Sequence, residues 1–514
     1  MSENRETRGS VPGDDRGMDL DHDACYRAIQ SRDPRFDGKI FGGVKTTGIY
    51  CRPICPARTP LSHNITFFPS AAAAEAAGFR ACLRCRPETS PDLGAWRGAS
   101  STVSRALRLI EAGALDGGDV EALAGRLGVG GRQLRRLFRE HLGATPVGVA
   151  QTRRVLLAKQ LIQETAMPMG EVALAAGFGS VRRFNETFQA LYRRPPASLR
   201  RGGTAAREPD AGHVTLTLRY KPPYDWEGVI GFLAARAIPG IEVVTPDRYA
   251  RTIALNGRSG TLAVSRRGAD QLAVEVRFPD MAALPAILAR VRRVFDLAAD
   301  PAVIGEHLSA DPALAPLVAA RPGLRTPGAW DGFELAIRAI LGQQITVPAA
   351  IRLAGKLAAR HGDALPEAWR QPGLSLTFPR PETLAAQDLS DLGMPGARAR
   401  ALSAMGAAAA ADPTLFSPRQ SLEAALAALK ALPGVGEWTA QYIAMRQLRE
   451  PDAFPAADIG LMRGLETPEA GRPTAAQLLE RAEAWRPWRA YAAQHLWAAD
   501  AIIQQEKAHA RRAA

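Results

Sequence analysis

Cysteine is scarce and lopsided in this chain: five residues in 514, none of them beyond Cys85. Everything after Cys85 therefore lacks both a thiol nucleophile and the ligands of an iron–sulfur cluster. No apolar run reaches the ~18 residues needed to cross a bilayer. The first residues are polar and mixed in charge, without the basic-then-apolar order of a signal peptide. Both absences lead us to expect a cytoplasmic chain with no membrane partner. In a reducing compartment, five cysteines, four of them paired by spacing, fit a metal better than disulfides. Acid is also in deficit: 52 Asp/Glu against 65 Lys/Arg leave a net charge of +13 and a pI near 9.9. Such a field favours a polyanionic partner, although an Arg-rich, GC-biased proteome would give the same excess. Hydrophobic residues make up 46% of the chain, enough for several cores. At roughly 100–200 residues per domain, the length suggests three to five of them.

Composition shifts divide the chain. Residues 1–17, rich in Ser, Gly, Arg and Asp, read as a disordered tail. Residues 18–92 form a small unit holding all five cysteines, and 94–101 read as a short linker. Residues 96–203 read as amphipathic helices. They carry 17 Lys/Arg against 8 Asp/Glu, so most of the excess charge sits there. A polar linker follows at 204–212. Residues 213–320 begin with strand-period alternation, as in Val214–Tyr220. Ile253–Ser265 and Gln271–Phe278 read as further strands. Residues 321–506 are helical, with Ala- and Leu-rich segments broken by Pro and Gly. The expected fold is multidomain and mainly α: a small α+β zinc domain, tandem helix-turn-helix modules, an α+β domain and an all-α domain.

Cys51-x3-Cys55 and Cys82-x2-Cys85 are two close ligand pairs. Each grips an ion from a tight turn, and four thiolates without a nearby His favour one Zn²⁺. Spacing alone favours a purely structural ribbon. The flanking sequence, Thr46-Thr-Gly-Ile-Tyr-Cys-Arg-Pro-Ile-Cys55 and Ala77-Gly-Phe-Arg-Ala-Cys-Leu-Arg-Cys85, closely resembles the N-terminal domain of the Ada adaptive-response family over about residues 20–90. That resemblance implies that Cys51, held as a thiolate by zinc, accepts a methyl group from a DNA phosphotriester. It also suggests Arg52, Arg80, Arg84 and Arg86 as backbone contacts. Methylation would remove one negative charge and so strengthen DNA binding. Cys25 fits no ligand position and reads as a packed core thiol.

In the middle region, Asp119–Val129 with Gly130–His141, and Glu171–Ala176 with Ser180–Leu191, read as two helix-turn-helix units. The long helix Pro146–Glu164 joins them. The second helix of each unit carries arginines: Arg132, Arg135, Arg136 and Arg139, then Arg182 and Arg183. Such helices enter the major groove of DNA, although Arg runs are more often solvated faces. Ala175-Ala-Gly-Phe178, Phe184-x3-Phe188 and Pro196 resemble AraC-type regulators. Residues 1–203 thus resemble the regulatory half of Ada, with RNA polymerase as a further expected partner. The second Ada methyltransferase has a Pro-Cys-His-Arg site, which has no counterpart here. O6-methylguanine repair by that route is not expected.

Near the C-terminus, Leu432-Pro-Gly-Val-Gly436 between helices fits a helix-hairpin-helix. Gly434 and Gly436 would let backbone N–H groups approach a phosphate; a plain helix–helix turn is the alternative. Asp458, between Phe454-Pro-Ala-Ala457 and Ile459-Gly-Leu-Met462, is a carboxylate in an apolar setting, or a helix cap, or both. Trp438, Tyr442, Trp485, Trp488, Tyr491 and Trp497 cluster around it in sequence. Most such aromatics are core, but electron-rich faces suit a cationic alkylated purine. Tyr220-Lys-Pro-Pro-Tyr-Asp-Trp226, Gly231-Phe-Leu-Ala-Ala-Arg-Ala237, Arg338-Ala-Ile-Leu-Gly-Gln343, the hairpin and Arg486-Pro-Trp-Arg-x-Tyr491 resemble AlkA-type 3-methyladenine DNA glycosylases over residues 213–505. The resemblance implies Asp458 as the catalytic carboxylate and Trp438, Tyr442 and Trp497 as the base pocket. Residues 213–320 would then be the family's α+β N-terminal domain. Gln344 stands where that family has an apolar wedge, so Gln344 or Ile345 would fill the gap left by an extruded nucleotide. Ala457 replaces an acidic neighbour. Trp438 occupies the position of the Schiff-base lysine in bifunctional relatives, which implies a monofunctional enzyme that leaves an abasic site. The expected partner is double-stranded DNA, both damaged sites and promoters. The rival reading is a regulator whose C-terminal half only binds DNA; a zinc-stabilised nucleoid protein is the blander third.

Overall fold

The computed structural model describes residues 20–90, 102–200, 212–467 and 471–513. The expected tail at 1–17 and the linkers at 94–101 and 204–211 lie outside them. Residues 20–90 form a small α+β unit. Helix α1 (His22–Gln30) is capped by Asp21. Strands β1 (Phe41–Val44), β2 (Ile49–Cys51), β3 (Ile65–Phe68) and β4 (Arg80–Ala81) follow the order β3-β1-β2-β4, with helix α2 (Ala71–Ala76) packed alongside.

Six helices make the next unit: α3 (Thr102–Glu111), α4 (Val120–Arg126), α5 (Gly131–Leu142), α6 (Pro146–Glu164), α7 (Met169–Ala175) and α8 (Val181–Tyr192). The helix-turn-helix pairs are α4/α5 and α7/α8, and α6 joins them over the range read from sequence. Thr145 caps α6 at Gly148 N, with Pro146 at its first position, where a missing N–H costs nothing. The first pair has its own core around Leu123, Leu134 and Phe138. The second pair does not: Phe178, Phe184 and Phe188 share one apolar core with the sheet that follows.

That sheet has five antiparallel strands in the order β5-β9-β8-β7-β6: β5 (His213–Arg219), β6 (Glu242–Thr245), β7 (Arg248–Leu255), β8 (Arg258–Arg266) and β9 (Gln271–Arg277). The run Ile253–Ser265, read above as strand, is broken into two by a hairpin turn at Asn256-Gly257. Both residues have positive φ, 51° and 71°, as a type I′ turn requires. β6 had no clear sequence signal. Helices Trp226–Ala234 and Leu284–Val294 cover one face of the sheet.

The remaining chain is helical around one large core that includes Ile337, Leu357, Leu402, Ile443 and Leu496. Among the described residues, no helix is long and apolar enough to cross a membrane.

Helix α6 ties the units together. Lys159 Nζ donates to Cys82 O at 2.9 Å and to Glu88 at 2.6 Å in the cysteine unit. Glu164 accepts from Arg86 on one side and from Thr217 N of β5 at 2.9 Å on the other.

Candidate functional site

Two sites emerge, one in each half. In the first, Cys51 ends β2, Cys55 lies in the turn after it, and Cys82 and Cys85 follow β4. The four Sγ atoms lie within 4.8 Å of one another, which suits one tetrahedral ion with metal–sulfur bonds of ~2.3 Å. Backbone N–H groups of Arg52 and Arg84 donate to Cys85 Sγ and Cys82 Sγ, each at 3.4 Å. Such contacts orient metal-bound thiolates and spread their charge. Cys55, Cys82 and Cys85 are buried, whereas Cys51 is partly open to solvent. A reacting molecule can therefore reach Cys51 most readily. Cys25 is buried away from this set, and burial pushes its thiol up.

Arg52 departs from expectation. It is 2% exposed, and its guanidinium donates to Asp37 Oδ1 at 2.7 Å, to Cys85 O at 3.2 Å and to Thr89 at 3.1 Å. It braces the cage from inside and has nothing left for a phosphate. Arg86 is likewise committed, to Glu88 and Glu164. Arg84 is exposed and Arg80 half-buried, so both remain open to a backbone contact.

On α5, Arg132 and Arg136 are exposed, and Arg135 reaches Glu121 at 2.8 Å. Arg136 pairs with Glu140 at 2.7 Å and, on α8, Arg182 with Glu186 at 2.8 Å. Arg183 is exposed as well. Such solvated pairs contribute at most about 1 kcal/mol each, so the side chains can turn to a phosphate or a base edge.

The second site begins at the hairpin. Ser421 caps the helix Leu422–Lys430 by accepting from Ala424 N at 3.1 Å, and the loop 431–436 leads into the helix Glu437–Arg446. Gly434 has φ 78°, and a Cβ there would lie 2.5 Å from Ala401 Cβ, so only glycine fits. Gly436 caps the second helix and is exposed, and a Cβ there would meet nothing within 4 Å. Gln343 Nε2 donates to Gly434 O at 2.9 Å and to Thr439 Oγ1 at 3.1 Å, binding the turn that carries Gln344 to the hairpin. Gln344 is exposed with φ 59°, and Ile345 is half-buried.

Asp458 stands at the N-terminus of the helix Ile459–Gly464, where its Oδ1 accepts from Gly460 N at 2.8 Å and Leu461 N at 3.2 Å. It also accepts from two indoles: Trp438 Nε1 at 2.6 Å and Trp497 Nε1 at 3.0 Å. It is thus a cap and something more, since a cap needs no indoles. Trp438 and Tyr442 stack at 5.1 Å and 10°, and Tyr442 meets Trp497 edge-on at 6.4 Å. All four residues remain partly exposed, so the carboxylate and three rings converge on an accessible spot. Trp485, Trp488 and Tyr491 are buried in the core.

Three neighbours complete the site: Arg446 gave no sequence signal, whereas Phe232 and Arg236 stand within the motif Gly231–Ala237, which carried no site role. Arg446, 2% exposed, lies over Tyr442 at 4.8 Å, Trp497 at 5.4 Å and Phe232 at 4.3 Å. Arg236 stacks on Phe232 at 4.0 Å. Burial alone would push the Tyr442 phenol up. Arg446 and Arg236 outweigh it and hold the phenol below its usual range. Phe232 and Arg236 lie at the helix Trp226–Ala234, so the α+β unit helps build the back of the pocket.

Comparison with known proteins matches this architecture segment by segment. Residues 24–88 match the metal-binding domain of Ada, 123–202 a helix-turn-helix domain family, and 215–331 the AlkA N-terminal domain. A protein described as a probable bifunctional transcriptional activator/DNA repair enzyme AlkA, from Mycobacterium tuberculosis, is 44% identical over 484 residues; the alignment covers 93% of this chain and 97% of that protein. DNA-3-methyladenine glycosylase 2 of Escherichia coli K12 is 36% identical over 285 residues, 55% of this chain and 96% of its own length. The bifunctional transcriptional activator/DNA repair enzyme Ada of the same organism is 32% identical over 201 residues, 39% of this chain and 52% of its own length. With a four-cysteine Zn²⁺ site, tandem helix-turn-helix modules and a helix-hairpin-helix half in one polypeptide, the chain belongs to the family of bifunctional transcriptional activator/DNA repair AlkA proteins.

Proposed function

We propose that Asp458 is the catalytic carboxylate of a monofunctional glycosylase that hydrolyses the N-glycosidic bond of alkylated purines. The observation that carries this is the convergence of Asp458 with Trp438, Tyr442 and Trp497. A base in duplex DNA must be turned out of the stack to be reached. Gly434 and Gly436 hold the backbone phosphate, and Gln344 or Ile345 fills the gap. Alkylation at N3 or N7 makes the purine cationic and a good leaving group. The aromatic faces receive it by cation–π stacking. As the glycosidic bond breaks, its electron pair leaves with the base. The Asp458 carboxylate, fixed by four N–H donors, stabilises the oxocarbenium-like sugar and orients the attacking water. No lysine stands at 438 to form a Schiff base, so the product is an abasic site in an uncut strand.

In the regulatory half, bound Zn²⁺ keeps sulfur as thiolate at neutral pH. Cys51 Sγ attacks the methyl carbon of a phosphotriester; the C–O bond breaks, and its electron pair restores the anionic diester. The loss of one negative charge favours promoter DNA, contacted through Arg80, Arg84, Arg132, Arg135, Arg136, Arg182 and Arg183. RNA polymerase is the further partner we propose, with the nucleoid as the place of action. We set the domain limits at 18–92, 96–203, 213–320 and 321–506.

Chromatography of bases released from alkylated DNA tests the enzymatic reading. Wild type releases 3-methyladenine and 7-methylguanine. Asp458→Asn loses at least about 10²-fold in rate, the usual scale for removing a group that stabilises transition-state charge, while still binding DNA. A mutant with the parental rate ends the assignment. Intact mass after exposure to methylated DNA tests the sensor: one methyl is expected, on Cys51 and no other cysteine.

A further inference from the structure

The regulatory and glycosylase halves touch at a buried ionic clamp that neither proposed activity uses. Glu450 follows the helix Glu437–Arg446 and is 2% exposed. Arg105 of α3, 4% exposed, donates to both its oxygens, at 3.0 and 3.1 Å. Arg108, one turn further along α3, reaches Glu450 Oε1 at 3.4 Å and Arg449 O at 2.8 Å. Arg105 also donates to Gln420 O at 2.8 Å, and the Gln420 side chain lies over Gly128, in the turn between α4 and α5. Helix α3, which shares the core of the first helix-turn-helix pair, and the turn of that pair therefore grip the hairpin at both ends: before its first helix and after its second.

The gripped turn leads straight to the pocket. Glu450 N donates to Ala444 O at 3.1 Å, and Ala453 N to Glu450 O at 3.2 Å. Phe454 N donates to Oε1 of Gln441, which sits between Trp438 and Tyr442 on the aromatic helix. Four residues later comes Asp458. On its other flanks the turn is held by Arg449 to Asp296 and by Arg489 to Asp452 at 2.8 Å. A buried carboxylate is costly to leave short of partners, so Arg105 and Arg108 help to hold the turn in this shape.

We propose that Arg105 and Arg108 are positioning residues for base excision. By holding Glu450, they set the distance and angle between the aromatic helix and Asp458, and make the first helix-turn-helix module a working part of the glycosylase. The inference rests on the catalytic reading of Asp458. It adds a direct physical route between engagement of the regulatory half and excision, because the turn between α4 and α5 lies on the clamp.

The test uses the full chain. Single-turnover excision is measured at saturating protein on a duplex with one 7-methylguanine, and affinity on a duplex with a tetrahydrofuran abasic analogue. Arg105→Gln and Glu450→Gln should each lower the excision rate at least about fivefold while affinity stays within about twofold. Arg105→Lys should retain more of the rate than Arg105→Gln. In an Asp458→Asn background, adding Glu450→Gln should cost nothing further, because the carboxylate it positions is gone. Parental rates in Arg105→Gln and Glu450→Gln, with Asp458→Asn inactive, overturn the inference and leave the glycosylase reading standing. Rate, affinity and melting temperature falling together, with no rescue by lysine, reduce the clamp to a structural contact and also overturn it. Excision by Asp458→Asn at the parental rate removes both.

Discussion

Asp458 and Arg52 are both polar residues beside motif residues, and the structure gives them opposite surroundings. Asp458 is held by N–H donors yet stays open to a ligand. Arg52 is sealed against Asp37. Replacing Arg52 by Ala leaves Asp37 as an uncompensated buried charge, which costs about 3–5 kcal/mol. Chemical unfolding of the N-terminal unit, followed by zinc release, should report that loss. A stable variant that holds zinc and merely binds DNA less well would restore Arg52 to the surface role that its position next to Cys51 suggests. The cysteines could be assigned from spacing because metal ligands sit close along the chain. The role of Arg52 could not, because burial is set by Asp37 and Thr89, which only the fold brings near. Arg446 escaped notice for the same reason: nothing local marks a guanidinium that stacks behind an aromatic pocket.

At the level of elements, periodicity and capping residues were legible. The helix Pro146–Glu164 keeps the limits read from the sequence, with Thr145 as its cap, and the glycines of 432–436 form the hairpin loop. Asn256-Gly257 is a hairpin signal that a reading by strand period alone passes over. Gly434→Ala places a side chain at positive φ and against Ala401. It should cost about 1–3 kcal/mol of local strain and weaken binding to undamaged and damaged duplex alike, as a filter-binding comparison would show; selective loss of damaged-site binding would contradict a phosphate role. Glu75 on α2 offers a pH test. The residue is half-buried, and its carboxyl group accepts from Tyr50 and Thr152 at 3.1 and 2.7 Å. Burial pushes the acid up to about 7 from 4.5, against the pull of those two hydrogen bonds. The folded state thus binds the proton more tightly than the unfolded chain. This contribution to stability is full below about 4.5 and is lost as pH rises through about 7. Allowing for partial exposure, it amounts to something on the order of 2 kcal/mol. Glu75→Gln should flatten that slope in melting curves taken across the range; an unchanged slope would place the titration elsewhere.

Across the whole molecule, the sequence divides more cleanly than the structure does. Composition marks a break between the helical region and the strands that follow, yet Phe184 and Phe188 share a core with Leu216 and Val274. Glu164 joins Arg86 to Thr217 across three units. Contacts spanning so many residues leave no periodic trace in a single sequence, so the interfaces became visible only in three dimensions. The two sites nonetheless stand apart: one built on thiolates, the other on a carboxylate among aromatic rings. The central claim concerns the second, that Asp458 faces the sugar of an extruded nucleotide. The most direct measurement is affinity for two duplexes, one holding a cationic pyrrolidine in place of the sugar and one holding neutral tetrahydrofuran. Because an enzyme binds best what resembles its transition state, wild type should prefer the cationic duplex by at least about tenfold, and Asp458→Asn should lose that preference while binding the neutral duplex as before. Equal preference in wild type and mutant would contradict the account.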